Sequence, residues 1–473
     1  VICWNCRTNN PNVDKNVDNP TALSHMRSEG DINLSPHRQA WLDEEIDADT
    51  QAILDEDARY FLHQSLSTPC LNVMEHCEGI YFMDAQGRRY MDFHGNYVHQ
   101  VGFGNPAVIA AIQEQMATLS FCTRRYTNSV AVELARTLAE LTPGDLGRTL
   151  FCPSGTGAIG MALKLARVAT GRHKVIAMWD SFHGASLDAI SVGGEQVFRR
   201  DIGPLLPGVE HVPPPDEYRC LWDCHERGGC DLKCANYIDY VLEKEGDVAA
   251  VIAEPVRSIP YIPRAGYWQQ VRAACDRHGT LLIFDEIPHA LGRTGRMFTC
   301  ENFDVTPDIL VLGKGLGGGI LPLAAMVARE HLNVAAAQAL GHYTHEKNPV
   351  LCAAALATIR TIQEQGLLEN ALRLGEYALA RLRGMMATHP LIGDVRGLGL
   401  LIGVELVTDR STRVRAMDAA DQVMYAAMRR GLSFKLTMGN TIGLVPPLTI
   451  THAEMDSAMD ILEAALAEVE ATI

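Results

Sequence analysis

The chain has 473 residues, of which 47% are hydrophobic and 21% charged, with a formal net charge of -16. That composition supports a sizeable core and excludes global disorder, and the strong negative balance argues against nucleic acid or an anionic membrane as partner. No apolar run reaches transmembrane length.

The 13 cysteines are odd in number and spread along the chain, which reads as a reduced, cytoplasmic protein with no disulfide framework. Residues 1–25 are polar and Asn-rich and open on no charged-then-apolar leader. They read as a tag or upstream extension, with Met26 as the start.

From there to residue 95 the pattern is an N-terminal arm and a hairpin. Helical periodicity runs over 36–66 through Trp41, Leu42, Ile46, Ile53, Leu54, Phe61 and Leu62. Two alternating runs on either side of Gly87, between Ile80 and Phe93, predict a β-hairpin. Asn96, Tyr97, His99 and Gln100 follow in a loop, and helices are expected near 107–118 and 128–141.

Residues 96–349 alternate strand and helix at the spacing of a mostly parallel sheet covered on both faces. Strands are expected at 149–152, 174–178, 248–253, 281–286 and 309–313. Helices are expected from Ala158 to Ala169 and from Tyr267 to His278. Residues 350–473 change character to helices at 350–365, 367–387, 416–430 and from about 452, with antiparallel strands between. They form a separate small domain.

Two strand ends carry the chemistry. Asp308-Ile-Leu-Val-Leu-Gly313 runs into Lys314 and then Gly315-Leu-Gly-Gly-Gly319. Ligands collect at the carboxyl ends of parallel strands, and a lysine desolvated there loses proton affinity and condenses with carbonyls. Thr280-Leu-Leu-Ile-Phe-Asp285 ends in an anion. A lysine for an aldehyde and an aspartate for a protonated ring nitrogen are the two groups a pyridoxal phosphate site requires most. Ser154-Gly155-Thr156-Gly157, between a strand and a helix, is an anion cradle of backbone amides, to which Thr156 adds a hydroxyl. Phe182, past the next strand, is placed to lie against a flat ring.

The motifs Ser154–Gly157, Phe182-His-Gly184, Asp285-Glu286 with Gly292-Arg-Thr-Gly295, Gly313-Lys-Gly315, Asn348-Pro349 and Pro446-Pro-Leu-Thr449 occur in one order. From about 75 to 470 they resemble the class III pyridoxal phosphate-dependent aminotransferases. The resemblance implies an α/β, fold-type I transferase: a large domain with a mostly parallel mixed sheet and a small α+β C-terminal domain. It also implies a homodimer with a shared active site.

By that resemblance Lys314 is the Schiff-base lysine and Asp285 the partner of the pyridinium. Phe182 stacks on the ring, and Gly155 and Thr156 hold the phosphate. Thr344 reaches the phosphate of the other subunit.

The departures point to the substrate. The arginine that grips carboxylates before Pro-Pro-Leu is Gly443 here, the glutamate of the same switch is Ile259, and the glutamine after Asp-Glu is Pro288. Arg257 and Arg264 flank the loop after Glu254, and Lys435 lies near the C-terminal strand pair. Such cations suit a phosphate or phosphonate dianion, hence a small anionic aminophosphonate. Asp92-Phe-His-Gly-Asn96, Val98-His-Gln-Val-Gly102 and Asp285-Glu-Ile-Pro288 are similar to the ammonia-lyases of phosphonate breakdown. That likeness implies carbon–nitrogen elimination, with ω-amino transfer or a phospho-lyase as alternatives. Tyr97, His99 and His289 are candidate acids for a departing hydroxyl. Tyr97, Arg257 and Lys435 are the candidate substrate contacts. Cys220, Cys224, Cys230 and Cys234 read as reduced packing thiols, with zinc the lesser reading because no tight Cys-x2-Cys occurs.

Overall fold

The structure is a computed structural model that describes residues 35–64, 69–224, 229–258 and 260–473. The extension at 1–25, Met26 and the switch position Ile259 lie outside the described residues. The arm forms helices Pro36–Glu45 and Ala48–Tyr60. Ser35 caps the first and Asp47 the second by accepting backbone N–H bonds.

The predicted hairpin is β2 (Tyr81–Asp84) and β3 (Arg89–Asp92), with Gly87 at φ 79° in its turn. A further strand, β1 (Met74–Glu78), pairs antiparallel with β2. The polar sequence of β1 and its exposure hid it from a periodicity reading.

The large sheet has seven strands in the order β4-β10-β9-β8-β7-β5-β6. These are β4 (Leu146–Cys152), β5 (Lys174–Met178), β6 (Val209–Val212), β7 (Val248–Ala253), β8 (Leu281–Asp285), β9 (Ile309–Leu312) and β10 (Ala324–Arg329). β10 alone runs antiparallel to its neighbours, β4 and β9. Every residue of β7 and β9 is buried, as expected for strands covered on both faces. The helix Gly155–Thr170 packs on this sheet and buries nine of its residues. It begins three residues before the apolar pattern announces it, because Ser154 caps it and the glycine turn is its first turn.

In the C-terminal part, β11 (Ile392–Leu398), β12 (Leu401–Asp409), β15 (Lys435–Thr437) and β16 (Thr441–Leu444) form an antiparallel sheet, with β13 (Val414–Arg415) at its side. It is flanked by helices Leu367–Met385, Met417–Arg429 and His452–Glu470. β14 (Leu432–Ser433) leaves that sheet and pairs in parallel with β3. The N-terminal hairpin and the C-terminal part thus share a sheet beside the large one. Among the described residues no helix is long and apolar enough to cross a membrane.

Candidate active site

β8 and β9 are neighbours, so Asp285 and Lys314 arrive side by side at the carboxyl end of the sheet. Asp285 is 1% exposed. Its Oδ1 accepts the Ile287 N–H at 3.0 Å, and its Oδ2 lies 2.7 Å from Nδ1 of His183. A carboxylate accepts, so Nδ1 of His183 carries the proton. His183 Nε2 is then an acceptor, buried and without a partner among the described residues.

Lys314 follows β9 with φ 44°, a strained value for a residue with a side chain. Gly315 lets the Gln100 amide pack close beside it, where a Cβ would make that side chain move. The Lys314 ammonium lies 5.8 Å from the centroid of the Tyr97 ring. Burial lowers its pKa, opposed by the charges of Asp285 and Glu254. A lysine biased toward its free-base form beside a buried carboxylate is poised to act as nucleophile and base.

The anion cradle is the start of the helix Gly155–Thr170, where backbone N–H groups lack intrahelical partners. A Cβ on Gly155 would come within 2.9 Å of Ile287, so glycine permits the close approach. The Thr156 hydroxyl is 2.7 Å from that of Ser186, whose own proton goes to Asp188. Thr156 therefore donates to Ser186, and the cradle's present donors are its amides. Phe182 is half-buried, gives its N–H to Glu254 Oε1 at 3.1 Å, and packs against Phe198 at 4.5 Å between centroids. Thr344 is exposed, next to Tyr343, whose hydroxyl donates to Gly157 O at 3.3 Å.

A lysine, a buried anion with its histidine, an amide cradle and an aromatic side chain around one strand edge fit pyridoxal phosphate. The unpartnered His183 Nε2 and the room kept by Gly155 are what that group would use.

The candidate substrate contacts separate. Tyr97 is buried, donates its hydroxyl to Ser258 O at 3.0 Å, and has its pKa pushed up to about 12, mainly by burial. Arg257 is 5% exposed and tied to the buried Glu195, with a further bond to Ser258 Oγ at 3.2 Å. Arg264 pairs instead with Glu217 and lines a different cavity.

Lys435 stands in a row. Strand register aligns Arg396 with Gly403, Gly403 with Gly443, and Gly443 with Lys435. Directly opposed residues share a sheet face. That face meets the loop after Glu254: Arg396 Nε donates to Pro260 O at 2.8 Å, and a Cβ on Gly403 would touch Pro260 at 2.9 Å. Gly443, noted above as a departure, puts no side chain opposite Lys435; a Cβ there would stand 3.5 Å from Lys435 O. Burial lowers the Lys435 pKa to about 7.

His99 and His289 are fully buried, with His99 Nε2 at 3.2 Å from Asp92 O and His289 Nδ1 at 3.0 Å from Thr299 Oγ1. Sequence reasoning assigned no role to His183, although Phe182-His183-Gly184 had been singled out, nor to Glu254. Glu254 accepts the Phe182 and Ser258 N–H bonds and shapes the loop between them.

The four cysteines of 220–234 line one cavity of about 300 Å³ with Trp222 and Tyr267. Cys220 and Cys224 have their sulfurs 3.3 Å apart. Among the described residues no group of three or more His, Cys, Asp or Glu is placed to hold a metal ion.

Fold and site together define a fold-type I pyridoxal phosphate-dependent enzyme. The model of the aminotransferase class-III family matches residues 63–466, and the chain belongs to that family. It is 49% identical over 460 residues to (R)-1-hydroxy-2-aminoethylphosphonate ammonia-lyase of Vibrio splendidus, covering 94% of this chain and 96% of that one. It is 38% identical over 428 residues to leucine/methionine racemase of Thermococcus litoralis, covering 89% and 96%. Among solved structures it resembles an omega transaminase from Pseudomonas jessenii in complex with PMP. There the TM-score is 0.84 and the identity 28%, with 89% of this chain and 99% of that chain covered.

Proposed function

We propose that the protein is an ammonia-lyase that converts (R)-1-hydroxy-2-aminoethylphosphonate to phosphonoacetaldehyde and ammonia. The observation that carries this reading is the 49% identity, over nearly the whole of both chains, to a lyase of that name. The site is in keeping with it. Lys435 faces Gly443, a position with no side chain, and a compact cation there suits a phosphonate head group.

Bound here, the coenzyme supplies an electron sink for the carbon that loses its proton. The chain's residues do the rest. Lys314 takes that proton from the carbon bearing nitrogen. Asp285, oriented by His183, keeps the ring nitrogen's proton in place by its charge. The cradle at Gly155 and Thr156 anchors the phosphate. Arg257, held by Glu195, keeps the positive charge of the site's wall in a fixed place. We place the enzyme in the cytoplasm as a homodimer, with Thr344 serving the partner's site.

Amino transfer is the second reading, favoured by the transaminases among the structural relatives. An assay of ammonia and aldehyde with and without a 2-oxo acid separates the two. Steady ammonia release without acceptor supports the lyase, and strict dependence on pyruvate or 2-oxoglutarate refutes it.

A further inference from the structure

Six side chains surround the Lys314 ammonium through charge or ring contact: Asp285, Glu254, Arg257, His289, Tyr97 and His94. Five have hydrogen bonds to the protein. Asp285 holds His183 and the Ile287 amide, and Glu254 the amides of Phe182 and Ser258. Arg257 is bound to Glu195, the Tyr97 hydroxyl to Ser258 O, and His289 Nδ1 to Thr299.

His94 differs. Its backbone N–H goes to Asp92 Oδ1 at 2.9 Å, and its half-buried ring touches Tyr97 edge-on at 5.9 Å and 88°. Neither ring nitrogen has a hydrogen-bond partner among the described residues.

The backbone holds this ring in place at a cost. Gly95, Asn96 and Tyr97 stand in succession at φ 43°, 44° and 63°. An aromatic residue in the left-handed region is strained, and such strain concentrates where a site needs a fixed geometry. Gly95 has no alternative, since a Cβ there would stand 2.4 Å from the His99 ring. The turn puts His94 and Lys314 against the same Tyr97 ring.

We propose that His94 is the specificity-determining residue for the hydroxyl of the substrate, which its ring hydrogen-bonds on the side of the site facing Lys314. This rests on the proposed function and deepens it. A neutral imidazole offers one donor and one acceptor, matching a hydroxyl, which is also both. Burial and then the Lys314 charge lower the His94 pKa to about 4, so the ring is neutral at neutral pH. Polar groups built to meet a hydroxyl reject the analogue without it.

The test compares 1-hydroxy-2-aminoethylphosphonate with 2-aminoethylphosphonate on the holoenzyme. Affinity for both is read from the coenzyme absorbance in the first milliseconds of mixing, and KM and kcat for the hydroxylated compound from ammonia release, since 2-aminoethylphosphonate has no hydroxyl to lose. The wild type is expected to bind the hydroxylated compound about tenfold to a hundredfold more tightly. His94→Phe keeps the ring edge on Tyr97 and should erase that preference by weakening the hydroxylated compound alone. His94→Gln should restore part of it. A preference unchanged in His94→Phe, equal loss for both compounds, or no preference in the wild type overturns the proposal. Retained coenzyme and an unchanged melting temperature show that each variant is folded, and His94→Ala decides if the phenylalanine variant is not. Should the wild type release no ammonia from 1-hydroxy-2-aminoethylphosphonate, the proposed function fails, while the binding comparison still judges His94.

Discussion

His183 gives its Nδ1 proton to Asp285 Oδ2 at 2.7 Å, with both side chains buried at the end of β8. The contact fixes the plane of the carboxylate and uses one lone pair of Oδ2. Asp285→Asn removes the anion but not the shape. It should lower kcat by about 10²- to 10⁴-fold and weaken coenzyme retention, read by activity and by dialysis followed by absorbance. His183→Asn keeps a donor near the carboxylate and should cost far less than Asp285→Asn.

Lys314→Ala should abolish the yellow imine band of the purified enzyme and cut turnover by at least about 10³-fold. Full turnover with an unchanged visible spectrum would remove the basis for the whole reading of the site.

Lys435 lies opposite Gly443 with its pKa lowered to about 7. It is cationic below that pH and loses its charge above it. A dianionic head group should therefore bind best below about pH 7, with KM rising as the pH is raised through that point. Substrate binding itself moves the transition upward. Lys435→Arg keeps its charge throughout and should flatten the rise, whereas Lys435→Met should raise KM at every pH. A wild-type KM independent of pH between 6 and 9 would separate Lys435 from the head group.

Arg257 and Glu195 form a buried ion pair in the wall of the site. Removing one partner leaves an uncompensated charge, so Glu195→Ala should destabilise the fold by about 3–5 kcal/mol. The double variant Glu195→Ala with Arg257→Met should recover much of that, as measured by chemical denaturation.

Local signals in the sequence carry much of this protein. The apolar runs of β7 to β9, the glycines after Lys314 and the Ser154–Gly157 turn are written in neighbouring residues, because strand burial and tight turns depend on a few positions at fixed spacing. From them the α/β fold, the coenzyme and the family could be read. β1 escaped, being polar and exposed, and β10 was not predicted at all, because its short Ala-rich run has little strand propensity.

The partners of each side chain were decided by the tertiary structure alone. Arg257 and Arg264 are close in sequence, yet one is buried against Glu195 and the other exposed against Glu217. Lys435 and Gly443 became neighbours only through the register of β15 on β16, and His94 met Lys314 only across the Tyr97 ring. Such pairings join residues from eight positions apart, as Lys435 and Gly443, to more than two hundred, as His94 and Lys314. They follow from how sheets and loops pack, which no local pattern of residues encodes.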